Sequence, residues 1–244
     1  MNSEVYRLLG TPRFGGVLVV ADHASNRVPD SIELGIDAGL MNEHIAIDVG
    51  VAAVAERMAR RAGTAAYLGN VSRLVCDFNR YPDAPGIMPE VSDGHLIPGN
   101  ELSEQGRSER IARYFEPYHR RLAELLEATP PALILSLHSF TPRLSTCDKP
   151  RPWQIGILYN EDDRAARIAM PLLEAEGLIV GDQQPYSGKL LNATMNRHAE
   201  AEGRPYLSVE IRQDLITDEA GQEQWSERLT RLCNAIAIRL ENEG

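Results

Sequence analysis

His23 and His138 each stand where an apolar run meets polar residues, in VLVVADHASN and LILSLHSF. Neutral imidazoles delivered from two strands suit Zn²⁺, and a catalytic zinc takes three protein ligands and keeps one position open for water. Asn26, three residues after His23, reaches the same ion if DHASN makes a tight turn; Asp22 and Asp48 are rival oxygen donors. The plainer alternative is that both histidines only hydrogen-bond where loops begin, because H-x-x-N alone is not a specific motif.

Glu210, near the end of YLSVEIR, is the candidate general base. A carboxylate beside a metal site can take a proton from water and pass it to a leaving nitrogen. The alternative is an ion pair with Arg212, two residues on and on the same side of a strand. Asn79 and Arg80, in RLVCDFNR, form a candidate clamp, since a guanidinium matches a carboxylate through two parallel hydrogen bonds. An ion pair of Arg80 with Asp77 or Asp83 competes with that reading. His44 and Asp48 lie four apart, so on a helix they share a face. There Asp48 either orients a ligating histidine or makes a simple His–Asp contact. His119 reads as structural, and His95 and His198 as solvated.

These residues need elements to bring them together. Short apolar runs at 17–21, 74–77, 132–137, 154–159, 178–180 and 206–211 read as strands, several apolar throughout and hence covered on both faces. Helical periodicity is clearest over 103–127, where Ile111, Phe115, Tyr118, Leu122 and Leu125 recur at steps of three and four. Further helices are predicted over 43–61, 162–176, 192–202 and 224–241. The alternation argues for an α/β protein, a three-layer sandwich with a largely parallel, mixed central sheet. Ligands of such sheets bind outside the carboxyl ends of the strands. His23, Arg80, His138 and Glu210 all fall near strand ends, so one rim would gather them. The irregular stretches 81–100 and 141–153 are expected to border that rim.

Composition narrows the partners. The chain has 244 residues, 43% of them hydrophobic, which suits one domain over 1–244. A formal net charge of -10 without a basic segment argues against nucleic acid. No run is long enough to span a membrane, and the first residues lack a signal-peptide core. Cys76, Cys147 and Cys233 form neither a disulfide framework nor a CxxC zinc site, which points to the cytoplasm.

Taken together, ADHASNRVP, HIAIDVG, SRLVCDFNR, PYHRRL, LSLHSF, QIGILYN, PYSGKL and LSVEIR resemble the N-formylglutamate amidohydrolase family, in that family's order and over nearly the whole chain. The family is similar, more distantly, to zinc carboxypeptidases and acyl-amino-acid deacylases. The resemblance implies a zinc-exopeptidase-like fold and a Zn²⁺-dependent amidohydrolase acting on N-formyl-L-glutamate or a similar N-acyl amino acid. It implies His23 and His138 as metal ligands, with Asn26 where the wider relatives place Glu, and Asp22 or Asp48 as substitutes. Asn79 and Arg80 would hold the substrate carboxylate, Glu210 would act as base, and Tyr186, Ser187 and Gly188 would close over the ligand. A second substrate carboxylate calls for another cation, with Arg143, Arg151, Lys189 and Arg212 as candidates. A small-carboxylate binder without catalysis on the same fold is the remaining alternative.

Overall fold

The computed structural model describes residues 3–243. In chain order the strands and α-helices are β1 (Tyr6–Gly10), β2 (Val17–Ala21), α1 (Val51–Ala59), β3 (Thr64–Gly69), β4 (Val91–Ser92), β5 (His95–Leu96), α2 (Glu104–Arg110), α3 (Glu116–Ala128), β6 (Leu133–Phe140), β7 (Ile155–Leu158), α4 (Arg164–Ala175), β8 (Val180–Asp182), α5 (Ala193–His198), β9 (Tyr206–Arg212) and α6 (Glu219–Glu243). Seven strands form one sheet in the order β1-β3-β2-β6-β9-β7-β8, and β4 and β5 make a separate hairpin. β3, β2, β6 and β9 are parallel, whereas β1 runs against β3 and β7 against β9. The expected three-layer, mixed α/β architecture is the one observed.

Period-two alternation sorts the strand residues between two cores. Val17, Val19, Leu133, Leu135, Leu137, Leu207, Val209 and Ile211 pack with residues of α1, α4 and α6. Leu18, Val20, Ile134 and Tyr206 face the other way, toward Tyr118, Leu122 and Leu126 of α3. On that second face the apolar residues give way to Ser136 and His138 in β6 and to Ser208 and Glu210 in β9, all buried. The switch from apolar to polar along one face marks the floor of the site. Buried polar groups demand partners, and His138 finds them in Ser136 on its own strand and in Asp48 above.

Several predicted elements differ. The apolar stretch 74–77 is a turn, not a strand: Ser72 Oγ accepts from the Leu74 amide and donates to Ala46 O, which folds the chain back under the 43–50 segment. The strand pairing with β2 is instead β3, TAAYLG, whose small residues gave little strand signal. The predicted helix over 43–61 exists only as α1, because Gly50 adopts φ +82 at its N-cap. A Cβ at Gly50 would also lie 2.3 Å from Ile216 O, so the break is enforced by packing as well as by backbone conformation. His44 and Asp48 therefore share no helix face, and His44 Nε2 lies 3.1 Å from Asp93 Oδ2. The long helix over 103–127 is real but widens into a π turn over Ile111–Phe115. Pro117 follows that turn; it has no N–H to donate, and its ring would strike the carbonyl four residues back.

His198, expected to be solvated, is buried in the contact between α3 and α5. His119 Nε2 meets Phe78 O at 3.0 Å, so that nitrogen carries a proton and Nδ1 accepts from His198 Nε2 at 2.9 Å. Burial, helped by Arg197 and Arg204, pushes His198 down to about 4, and burial pushes His119 far down as well. The unfolded chain protonates these imidazoles near pH 6.5, so their contribution to stability is complete above that pH and declines as the pH falls toward 4. Each group steepens the loss by up to about 1.4 kcal/mol per pH unit. In His198→Gln, whose amide still donates to His119, urea melts at pH 7, 6 and 5 are expected to show the shallower decline. An equal decline in both proteins would show that His198 is not held neutral.

Candidate active site

A cavity of about 130 Å³ opens where the parallel strands end. Its wall includes His23, Asp48, Asn79, Arg80, His138, Tyr186 and Glu210, and also Arg73, His44 and Thr141. His23 follows β2, while His138 and Glu210 are register partners on β6 and β9. Neighbouring parallel strands thus set the second histidine beside the carboxylate.

Asp48 occupies the centre. Its Oδ2 lies 2.9 Å from His138 Nδ1 and 3.3 Å from His23 Nδ1, and its Oδ1 accepts from Arg73 at 3.2 Å. The Asp48 amide donates to His23 O at 3.0 Å, which fixes this loop residue against the end of β2. The outer nitrogens of both imidazoles are also engaged. His23 Nε2 is 2.7 Å from Asp77 Oδ1, and His138 Nε2 is 3.2 Å from Ser136 Oγ and 3.6 Å from Asp22 Oδ2. Arg73 bridges the two carboxylates, with its second contact to Asp77 Oδ2 at 2.9 Å. Asp22 Oδ1 accepts from the Tyr118 hydroxyl at 2.8 Å, whereas its Oδ2 has no hydrogen-bond partner.

His23, Asp48 and His138 each offer one ligand atom, and the three atoms lie within 4.8 Å of one another in a buried setting. Two imidazole nitrogens and one carboxylate oxygen are a donor set that zinc accepts. Acceptors on the outer nitrogens are what a metal-binding histidine uses to fix its tautomer. The residues present therefore fit a divalent metal. Asn26 does not line this cavity; its amide donates to Asn42 Oδ1 at 3.0 Å. Asp22 stands behind His138, so of the three oxygen donors considered Asp48 is the one set between the histidines.

The electrostatics follow from this packing. Burial and Arg73 pull His23 down, but Asp77 and Asp48 outweigh them and hold it up at about 9. Burial alone would raise Asp48 and Asp77, yet His23, joined by His138 for Asp48 and by Arg73 for Asp77, keeps both well below the usual carboxylate range. Glu210 behaves oppositely: burial, reinforced by Asp48, pushes it up to about 7 against the pull of His138, Arg73 and His23. Its Oε2 is buried and has no hydrogen-bond partner.

Asn79 and Arg80 are both at the wall, as their adjacency suggested. Asn79 Oδ1 accepts from the Thr194 amide at 3.0 Å, which orients the side chain and leaves Nδ2 free to donate. Arg80 Nε is 3.7 Å from Asp77 Oδ2, a loose contact. Tyr186 reaches the cavity because its loop passes over Gly156 of β7, where a Cβ would lie 2.0 Å from Gln184 O. Arg151 donates to the Tyr186 hydroxyl at 3.2 Å and to Thr141 O at 3.1 Å.

Three expected contacts are not made. Ser187 and Gly188 are absent from the cavity wall; the Gly188 amide donates to Gln183 Oε1 at 2.7 Å, so the pair shapes the turn that carries Tyr186. Arg212 turns away from the site onto Asp214 at 2.8 Å and Pro152 O at 3.2 Å. Its proposed pairing with Glu210 does not form. Arg73 and Asp77 escaped the sequence reading as site residues. The one available signal was that charged residues flank the buried run Leu74–Val75–Cys76.

The sequence model of the N-formylglutamate amidohydrolase family matches residues 15–217. The solved structure of gene product Atu2144 from Agrobacterium tumefaciens is 30% identical, with a TM-score of 0.91, covering 98% of this chain and 97% of that one. N-formylglutamate amidohydrolase from Ralstonia eutropha JMP134 is 20% identical with a TM-score of 0.78, covering 99% of this chain and 100% of that one, a likeness of fold. No curated protein matches. Among the described residues no helix is long and apolar enough to cross a membrane. A family match over this span, which contains the buried His–Asp–His group and the neighbouring carboxylate, places the chain among hydrolases of amide bonds, in the N-formylglutamate amidohydrolase family.

Proposed function

We propose that the chain hydrolyses N-formyl-L-glutamate, or a closely similar N-acyl amino acid, to the free amino acid and the carboxylate of the acyl group. His23 Nδ1, His138 Nδ1 and Asp48 Oδ2 would hold a divalent metal, with zinc favoured by the donor set. A metal bound there would supply Lewis-acid polarisation of the amide carbonyl and a lowered pKa for a water. Asn79 Nδ2 and the Arg80 guanidinium donate to the substrate's α-carboxylate. Asp77 and Arg73 keep His23 and Asp48 in place. Glu210 takes a proton from the attacking water at a carboxylate oxygen and returns it to the amine nitrogen as the amide bond breaks.

The observation that carries this reading is Glu210 Oε2. It is a buried carboxylate oxygen with no partner in the fold, on the strand next to His138 and in the same cavity as Arg80. An orphaned buried acceptor costs stability, and a catalytic role is a reason for a fold to keep one. A pKa near 7 lets one group accept and return a proton at neutral pH.

The test is formate release from N-formyl-L-glutamate by the purified chain, before and after chelation, with elemental analysis of the same samples. Activity is expected to follow metal content and to return when zinc is restored. Full activity in metal-free protein would sink the metal assignment. Stabilisation by glutamate with no hydrolysis of any N-acyl amino acid would favour a binder of small carboxylates instead.

A further inference from the structure

Arg80 is a wall of two cavities. Beyond it lies a second, larger cleft of about 270 Å³ between the turn at Arg80–Tyr81 and the helices α3 and α5. The cleft is anchored to the first cavity through Asn79, whose side chain accepts from the Thr194 amide of α5. The Thr194 hydroxyl donates to Phe78 O at 3.2 Å, so α5 cannot shift without disturbing the Asn79–Arg80 turn. Phe115 and Ala193, both buried, give the cleft an apolar lining.

One side is cationic. The Arg197 guanidinium lies 5.8 Å over the Phe115 ring and makes no ion pair with a carboxylate among the described residues. Tyr81 lines the same cleft. Its hydroxyl accepts from Asn196 Nδ2 at 3.0 Å, which leaves its own proton to be donated. A lining for methylene groups, ending at an unpaired guanidinium and a free hydroxyl proton, is suited to a short aliphatic chain with a terminal carboxylate.

We infer that this cleft is the subsite for the substrate's side chain, and that Arg197, aided by Tyr81, selects N-acyl amino acids whose side chain ends in a carboxylate. The inference rests on the proposed function, which places the α-carboxylate on Arg80. Because Arg80 lines both cavities, a side chain on the carbon that bears that carboxylate is brought next to the second cleft. Arg143 and Lys189, exposed and on neither cavity wall, and Arg212, held on Asp214, are not needed for this role.

Two measurements on the metal-loaded chain test it. The first is kcat/KM for N-formyl-L-glutamate against its neutral isostere N-formyl-L-glutamine. In the parent chain the ratio should favour glutamate, and in Arg197→Gln it should fall about tenfold to a hundredfold, mostly through KM for the acidic substrate. Arg197→Lys should restore part of it. The second is calorimetric affinity for the products L-glutamate and L-glutamine, which needs no turnover. Discrimination between them should again collapse in Arg197→Gln. Equal losses for both ligands, or an unchanged ratio, would overturn the subsite. If neither substrate is hydrolysed but the product discrimination is present and is lost with Arg197, the proposed hydrolysis fails and the subsite stands.

Discussion

Glu210→Gln is expected to lower kcat for formate release by about 10²–10⁴-fold, with bound metal and folding stability retained. The amide has the size of the carboxylate but cannot accept the proton. Little in the fold depends on the charge, because Oε2 has no hydrogen-bond partner. Arg212, the one cation that strand spacing offered it, is engaged with Asp214. Removing a buried negative charge beside Asp48 also relieves repulsion, so the melting temperature should hold or rise. A rate near that of the parent chain would remove Glu210 from the mechanism. A loss of rate accompanied by loss of metal would assign it to the metal site instead. Formate release, elemental analysis and thermal melts on the same preparation distinguish these outcomes.

The second large effect is expected at Asp48. Asp48→Asn removes the one negative charge that His23, His138 and Arg73 all touch. Breaking a buried ion pair from one side leaves its partners uncompensated, at about 3–5 kcal/mol. Urea unfolding of metal-free protein at pH 7 should show a loss of that order. Metal content after zinc loading and desalting should fall well below one equivalent. Asn26→Ala provides the contrast, since Asn26 contacts Asn42 outside the cavity and its removal should leave zinc content intact. Retained zinc in Asp48→Asn together with lost zinc in Asn26→Ala would reverse the assignment of the third ligand.

The contrast between Asn26 and Asp48 shows where sequence reading reached its limit. His23, His138 and Glu210 were legible because each interrupts an apolar strand, and a polar residue at a strand's carboxyl end has a known place to go. Asn26, at a spacing of three, stayed level with Asp22 and Asp48 as an oxygen donor, because local spacing is all that one chain displays. Asp48, which the structure sets between the two histidines, comes from a loop that helical periodicity had absorbed into a longer α1, and only Gly50 hinted at the break. Likewise 74–77 looked like a strand because its apolar residues are buried, but they are buried in a turn ordered by Ser72. Burial pattern reports that a residue is inside, not which backbone carries it there. Arg73 and Asp77 were hidden for the same reason: their roles depend on long-range contacts with His23 and Asp48. The α/β class was more legible than the site, since β2, β6 and β9 each keep a run of apolar residues long enough to demand cover on both faces.

The reversed direction of β7 bears on how this protein could change over time. β6 ends at the rim that β7 leaves from, with the end of β9 between them, so the segment joining them arches over the strand that carries Glu210. Arg151 ties its two feet together by donating to Thr141 O, and Gln154 O accepts from the Arg212 amide. The stretch between those feet touches the body of the protein through Asp93, which accepts from the Ser145 and Thr146 amides. Lengthening a loop whose ends are already joined costs little, because closure entropy grows only with the logarithm of length. Additions and deletions in this arch can therefore remodel the approach to the cavity while the sheet, the histidines and their carboxylates stay where they are.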